Sequence, residues 1–247
     1  MVKTLKNWFS KENLIYAIIF IVSIIGIVVS RIYIGFDSVL WISDIASITG
    51  VLYVINLAKH NASSFVFNII STTIITVVCI IQKVWLTAFI SSVINIPNLI
   101  YGLITWIKNE KNNQQEKNLK TMSKKTLIIS FVCLAIVAAV LTVILWLLDG
   151  NLFYIDGIYS SLCVVGIILS TRMYIEQYYF FIPCNFLGIL LYSLLTIQNV
   201  NNIPTIILNC VYAITTTIGY FNWRKLSKQS KLINNDENLQ NTKSQNV

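Results

Sequence analysis

Gly102-Leu103-Ile104-Thr105-Trp106-Ile107-Lys108 returns 117 residues further on as Gly219-Tyr220-Phe221-Asn222-Trp223-Arg224-Lys225. The same offset carries Asn68 to Asn185, and Asp44 matches Asp156 if the second copy holds five more residues between its Asp and its Asn. Apolar residues recur by chance in an apolar chain, so the weight rests on the shared Gly, Trp, Lys, Asn and Asp. A period of this length inside apolar segments reads as two parallel copies of a three-helix unit. Membrane carriers use that arrangement, with the substrate site near the bilayer midplane where the copies meet.

The 247 residues are 56% hydrophobic and 11% charged, against roughly 25% charged in a soluble domain. Such a chain belongs in lipid. Apolar runs near the ~20 residues that a crossing needs lie at about 14–34, 39–58, 65–82, 84–106, 126–148, 155–171, 177–197 and 203–223. Basic residues collect in cytoplasmic loops. With eight crossings and a cytoplasmic N-terminus, Arg31 and Lys83 alone of the 18 Lys and Arg fall outside. The net charge of +8 is therefore topology, and no basic face interleaved with aromatics offers itself to a nucleic acid.

The expected architecture is an all-α polytopic membrane protein with eight transmembrane helices. Residues 1–36 hold an extra N-terminal helix, with no small-residue cleavage site in Ser30-Arg31-Ile32-Tyr33 to make it a signal peptide. Residues 37–108 form the first three-helix repeat, 109–125 a polar cytoplasmic linker, 126–150 a linker helix and 151–226 the second repeat. The odd crossing at 126–148 returns the chain so that the repeats run parallel, giving three plus one plus three. Residues 227–247, rich in Asn, Gln, Lys and Ser, read as a disordered cytoplasmic tail.

Polar side chains inside lipid face another helix or a water-lined path. Ser92, Asn95 and Asn98 follow at i, i+3 and i+6 along one helix face, and Asn209 and Tyr212 hold the same offsets from Trp223 as Ser92 and Asn95 from Trp106. Two polar stripes then face each other across a pseudo-two-fold axis, either gluing helices together or binding a ligand rich in hydroxyls and amides. Asn68 and Asn185 suit an inter-helix hydrogen bond or a substrate contact. Tyr174, Tyr178, Tyr179, Phe180 and Phe181 form either an interfacial belt or, through a pair three apart, a clamp for a flat ring. Pro97, Pro183 and Pro204 are hinges or plain kinks. Asp44, Asp156 and Glu176 lie near span ends, where they cap and anchor or couple an ion.

The five cysteines, Cys79, Cys133, Cys163, Cys184 and Cys210, make no disulfide framework and no metal motif. They read as small packing residues. His60, the one histidine, falls in a predicted cytoplasmic turn and is expected to be solvated. With no His, no paired carboxylates and no nucleophile beside a base in the spans, the chain does not read as an enzyme, and it calls for no cofactor or metal.

Trp41-Ile42-Ser43-Asp44-Ile45-Ala46-Ser47-Ile48-Thr49-Gly50, Tyr101-Gly102 with Trp106, Thr171-Arg172-Met173-Tyr174-Ile175-Glu176-Gln177-Tyr178, and Gly219-Tyr220-Phe221-Asn222-Trp223 together resemble the nicotinamide riboside transporter (PnuC-type) family over about residues 39–225. The resemblance implies a SWEET-like fold, a homotrimer, facilitated diffusion, and a cytoplasmic kinase that traps the vitamin as its phosphate. After the Glu, riboside transporters look like Asn-Trp-x-x-Trp, where this chain has Gln177-Tyr178-Tyr179-Phe180-Phe181. Aromatic character survives without either Trp, as a changed substrate would require. The expected function is facilitated diffusion of nicotinamide riboside or a related vitamin or nucleoside across the plasma membrane, with both termini cytoplasmic. Alternatives are thiamine, riboflavin or deoxynucleosides on the same fold, or a non-transporting membrane subunit or sensor. The expected substrate site is Ser92, Asn95, Asn98, Gln177, Tyr178, Phe181, Asn185, Asn209 and Tyr212.

Overall fold

With water excluded, a chain crossing lipid must satisfy its backbone within each segment, and helices do so. The computed structural model describes residues 11–34, 38–81, 88–111, 120–149, 152–197 and 203–245, almost all of them helical. The helices are α1 (Lys11–Ile34), α2 (Ser38–Ala58), α3 (Ser63–Ile81), α4 (Ile96–Lys111), α5 (Lys124–Leu147), α6 (Phe153–Thr171), α7 (Tyr178–Thr196) and α8 (Ile203–Gln245). A π-helical segment, Ile90–Asn95, leads directly into α4, and a 3₁₀ turn, Ile175–Gln177, precedes α7.

Among the described residues, α1 to α7 are long and apolar enough to cross a membrane, α4 together with its π segment. Residues 203–223, expected as an eighth crossing, form the first half of α8. The chain is a multi-pass membrane protein.

Six helices close a ring. In order, α2 packs on α3, α3 on α4, α4 on α6, α6 on α7, α7 on α8, and α8 back on α2. Outside the ring, α1 lies against α8 and α2, and α5 against α6. Only 6% of the α5 span is fully buried within the chain, compared with 50% of the α2 span, so apart from the face set against α6 the rest of the chain leaves α5 uncovered.

A buried ion pair ties α1 to the ring. Arg31 donates from Nε to Asp44 Oδ2 and from Nη2 to Oδ1, each at 2.6 Å, and both residues are buried. Such a two-pronged pair is the geometry in which a desolvated Arg and carboxylate offset one another. Asp44 is thus an anchor for the extra helix.

His60 is buried, not solvated as expected. It occupies the turn between α2 and α3 with φ of 56°, which aims its ring inward between Trp106 of α4 and Trp223 of α8, each centroid 4.7 Å away. The two Trp rings lie 5.7 Å apart, and Trp223 Nε1 donates to the Leu57 carbonyl at 2.9 Å. Phe65 and Tyr178 complete a fully buried aromatic plug. Burial in this plug pushes the His60 pKa down to about 4.

Residues 227–245 are helical in place of the expected disordered tail, because α8 continues to Gln245. Residues 224–245 contain no Gly or Pro, and extending a helix already nucleated in the preceding segment costs little. The linker's residues 112–119, like Lys83 and residues 1–10, lie outside those described. The linker's end is docked: Lys120 N donates to the Met173 carbonyl at 3.0 Å, Ile175 N to the Lys120 carbonyl at 3.2 Å, and Met122 N to Glu176 Oε1 at 2.9 Å.

The three prolines act differently. Pro204, in the first turn of α8, lacks an N–H that would have no intrahelical partner there anyway, so it starts the helix without breaking it. Pro97 cannot donate to the Val93 carbonyl four residues back, and the π segment sits immediately before it. Pro183 lies within α7.

Candidate functional site

The ring encloses a cavity of about 270 Å³. Every ring helix or its leading segment contributes to the wall, and neither α1 nor α5 does. Tyr53 comes from α2, Asn68, Ser71 and Thr72 from α3, Ser91 and Asn95 from the π segment, Tyr159, Ser160 and Cys163 from α6, Phe181, Cys184, Asn185 and Tyr192 from α7, and Tyr212 and Thr216 from α8. Among the described residues, no lining residue carries a charge. Toward the aromatic plug the wall is made by Leu57 and Phe181, and Tyr178 and Trp223 lie beyond them with ring centroids 5.6 Å apart.

Part of the wall's polarity is spent internally. Asn185 Nδ2 donates to Thr216 Oγ1 at 3.0 Å, joining α7 to α8, and Thr72 Oγ1 donates to Asn68 Oδ1 at 3.2 Å. Ser71 Oγ reaches the Ala46 carbonyl at 2.8 Å. Asn95 Oδ1, in contrast, is buried with no partner among the described residues. An unpaired amide oxygen at a cavity wall is an acceptor awaiting a ligand donor or water.

Of the residues expected at the site, Asn95, Phe181, Asn185 and Tyr212 line the cavity. Ser92 is exposed and Asn98 half-buried, both bonding back to their own helix, at the Ala88 and Ile94 carbonyls. The π segment is the reason. Its hydrogen bonds close five residues apart, as in Ile96 N to the Ser91 carbonyl, so residues four apart, Ser91 and Asn95, share the inner face that α-helical spacing had assigned to Ser92, Asn95 and Asn98. Asn209 is buried outside the lining and donates to the Thr205 carbonyl at 2.8 Å. Tyr178 belongs to the plug. Gln177 is fully buried outside the lining, with both amide atoms lacking a partner among the described residues. Phe180 packs against Leu162 and Leu169, and Tyr179, 44% exposed, is the member of this aromatic run that faces outward.

Two glycines seat the wall. A Cβ at Gly50 would collide with the Tyr212 hydroxyl, and one at Gly166 would stand 2.6 Å from the Phe181 ring. Gly50→Ala is therefore expected to destabilise the protein by about 1–3 kcal/mol through overpacking. Tyr212→Phe, which removes the colliding oxygen, should recover most of that loss. Thermal midpoints in detergent check this; equal midpoints for Gly50→Ala with and without Tyr212→Phe would place the strain elsewhere.

Tyr53, Tyr159 and Tyr192 were not legible as site residues. Their signal is depth, since Tyr well inside an apolar span, away from the interface, needs a polar partner or a cavity. Tyr159 and Tyr192 meet edge to face across α6 and α7, with centroids 6.2 Å apart.

Residues 40–225 match the sequence model of a family described as nicotinamide mononucleotide transporter. The match spans the ring and α5. The nicotinamide riboside transporter PnuC of Neisseria mucosa is 26% identical over 196 residues, covering 76% of this chain and 74% of that protein. Its counterpart from Haemophilus influenzae is 24% identical over 200 residues, covering 77% and 82%. The crystal structure of the vitamin B3 transporter PnuC superposes with a TM-score of 0.70 at 21% identity, covering 90% of this chain and 94% of that one, which establishes a shared fold.

Proposed function

Because the chain belongs to the nicotinamide mononucleotide transporter family, and is thus a transporter and not an enzyme, we propose that it carries nicotinamide riboside by facilitated diffusion. One observation bears the reading: the cavity wall is rich in tyrosine and asparagine and, among the described residues, has no charged side chain. A mononucleotide brings a phosphate, which proteins hold with Arg, Lys or helix N-termini. The riboside brings a pyridinium cation, a carboxamide and ribose hydroxyls. Aromatic faces attract the cation, and Asn95, Asn185 and the tyrosine hydroxyls supply partners for the amide and the sugar.

The remaining assignments extend this reading. Eight crossings with both termini in the cytoplasm accord with the distribution of Lys and Arg. The residue repeat supports two parallel three-helix units, α2–α4 and α6–α8, joined by α5 and preceded by α1. The His60, Trp106, Trp223 and Tyr178 plug then lies on the cytoplasmic side and closes the inner gate. With no carboxylate, histidine, lysine or arginine among the described residues of the cavity wall, transport runs downhill, and a cytoplasmic kinase that phosphorylates the product keeps the inward flow going. The family resemblance also supports a homotrimer in the plasma membrane.

Uptake of labelled nicotinamide riboside into proteoliposomes tests the proposal. Unlabelled riboside should compete, the mononucleotide at equal concentration should not, and neither a proton nor a sodium gradient should drive accumulation. Equal competition by the mononucleotide, or competition by thiamine or deoxynucleosides without any by the riboside, would overturn the substrate assignment.

A further inference from the structure

Cys163 of α6 and Cys184 of α7 stand side by side in the cavity wall, Sγ to Sγ at 2.7 Å. Both are free thiols. The two sulfurs are thus in direct contact, within reach of a disulfide bond of roughly 2.05 Å, and the pair joins adjacent ring helices 21 residues apart in sequence. Cys184 also lies 3.6 Å from the Tyr159 carbonyl. Both also pack against the Leu162, Val165, Leu169 and Phe180 cluster, which holds the two sulfurs in place. Of the other cysteines, Cys79 is buried in α3, while Cys133 and Cys210 are exposed, so this is the one sulfur pair among the described residues that a molecule inside the cavity would meet.

We propose that Cys163 and Cys184 form a redox-active dithiol in the transport cavity, closed to an intramolecular disulfide by small uncharged disulfides that enter as the substrate does. The proposal rests on the reading of this cavity as the transport path. One cysteine, as its thiolate, attacks a sulfur of R–S–S–R and expels R–S⁻, which takes up the cysteine's proton. The second cysteine then attacks the protein sulfur of the mixed disulfide, expelling the second R–S⁻, which is protonated in turn. Two cysteines lose two electrons, one external disulfide becomes two thiols, and α6 is bonded to α7. A cross-link in the wall stiffens two of the six helices that must move for the cavity to open. It therefore slows transport, and a bound substrate shields the thiols.

The test uses the full chain carrying Cys79→Ala, Cys133→Ser and Cys210→Ser, in proteoliposomes, treated with 4,4′-dithiodipyridine. The expected result is release of two thiopyridones per chain with no retained adduct, an intact mass lower by two hydrogens, and uptake reduced at least about tenfold and restored by dithiothreitol. Excess nicotinamide riboside should slow the thiol release. Cys163→Ser and Cys184→Ser in that background should each keep a stable adduct. A persistent adduct on the parent, no thiopyridone release, or closure that leaves uptake unchanged would overturn the proposal. If the substrate assignment fails, no riboside uptake appears in either redox state, and thiol release with the mass still decides whether the dithiol exists. Should the triple variant fold poorly, peptide mapping of oxidised wild-type protein reads the Cys163–Cys184 link directly, and its absence is equally decisive.

Discussion

Asp44→Ala is expected to remove about 3–5 kcal/mol of stability, because it strips the carboxylate from an Arg31 guanidinium that stays buried between α1 and α2. The loss comes less from the missing attraction than from a desolvated charge without its counterion. Replacing both partners, Arg31→Met with Asp44→Leu, should return most of it, since apolar side chains of similar volume carry no such penalty. Thermal unfolding in detergent separates the cases. A single variant within about 1 kcal/mol of wild type would match an exposed pair instead, and would mean that water reaches this end of α1.

Stability is also expected to fall as pH is lowered from about 6.5 to about 4, by about 3 kcal/mol at most, through His60. The folded protein holds the imidazole neutral between two indoles, whereas the unfolded chain accepts a proton near its ordinary value of 6.5. Below that value unfolding takes up a proton that the folded state refuses, and the deficit grows until the folded state also protonates near pH 4. Above pH 6.5 the neutral ring contributes fully. His60→Asn tolerates the left-handed backbone and does not titrate. It should be less stable at pH 7, where its stacking is lost, yet should show a shallower slope between pH 4 and 6.5. Identical slopes in wild type and variant would assign the acid sensitivity to carboxylates.

Composition carried the membrane class and the run of apolar helices. Gly102, Trp106, Gly219 and Trp223 stood out by their spacing, and the two indoles do meet. Spacing could not say that a third ring fills the space between them. His60 was misjudged because a turn two residues beyond a helix end is solvated by default, and what packs over it is set by α4 and α8, distant in the chain. The Arg31–Asp44 pair had a legible sign, since an arginine and a carboxylate at one end of neighbouring apolar runs seek each other. At the cavity, repeat offsets and polarity point to Asn95, Asn185 and Tyr212, and the aromatic pair three apart points to Phe181. Ser92 and Asn98 were placed there by an assumed 3.6-residue period that the π segment breaks, while Tyr53, Tyr159 and Tyr192 passed as ordinary span residues.

The π segment also has a genetic meaning. A π turn holds one residue more than an α turn, so Ile90–Asn95 accommodates one extra residue just ahead of Pro97. Deleting one codon there would rotate everything before it against α4 and exchange the side chains shown to the cavity as a set, with no other position altered. Point substitutions change one contact at a time. For a lineage diverging in what it carries, indels in this half-dozen residues are the shorter route.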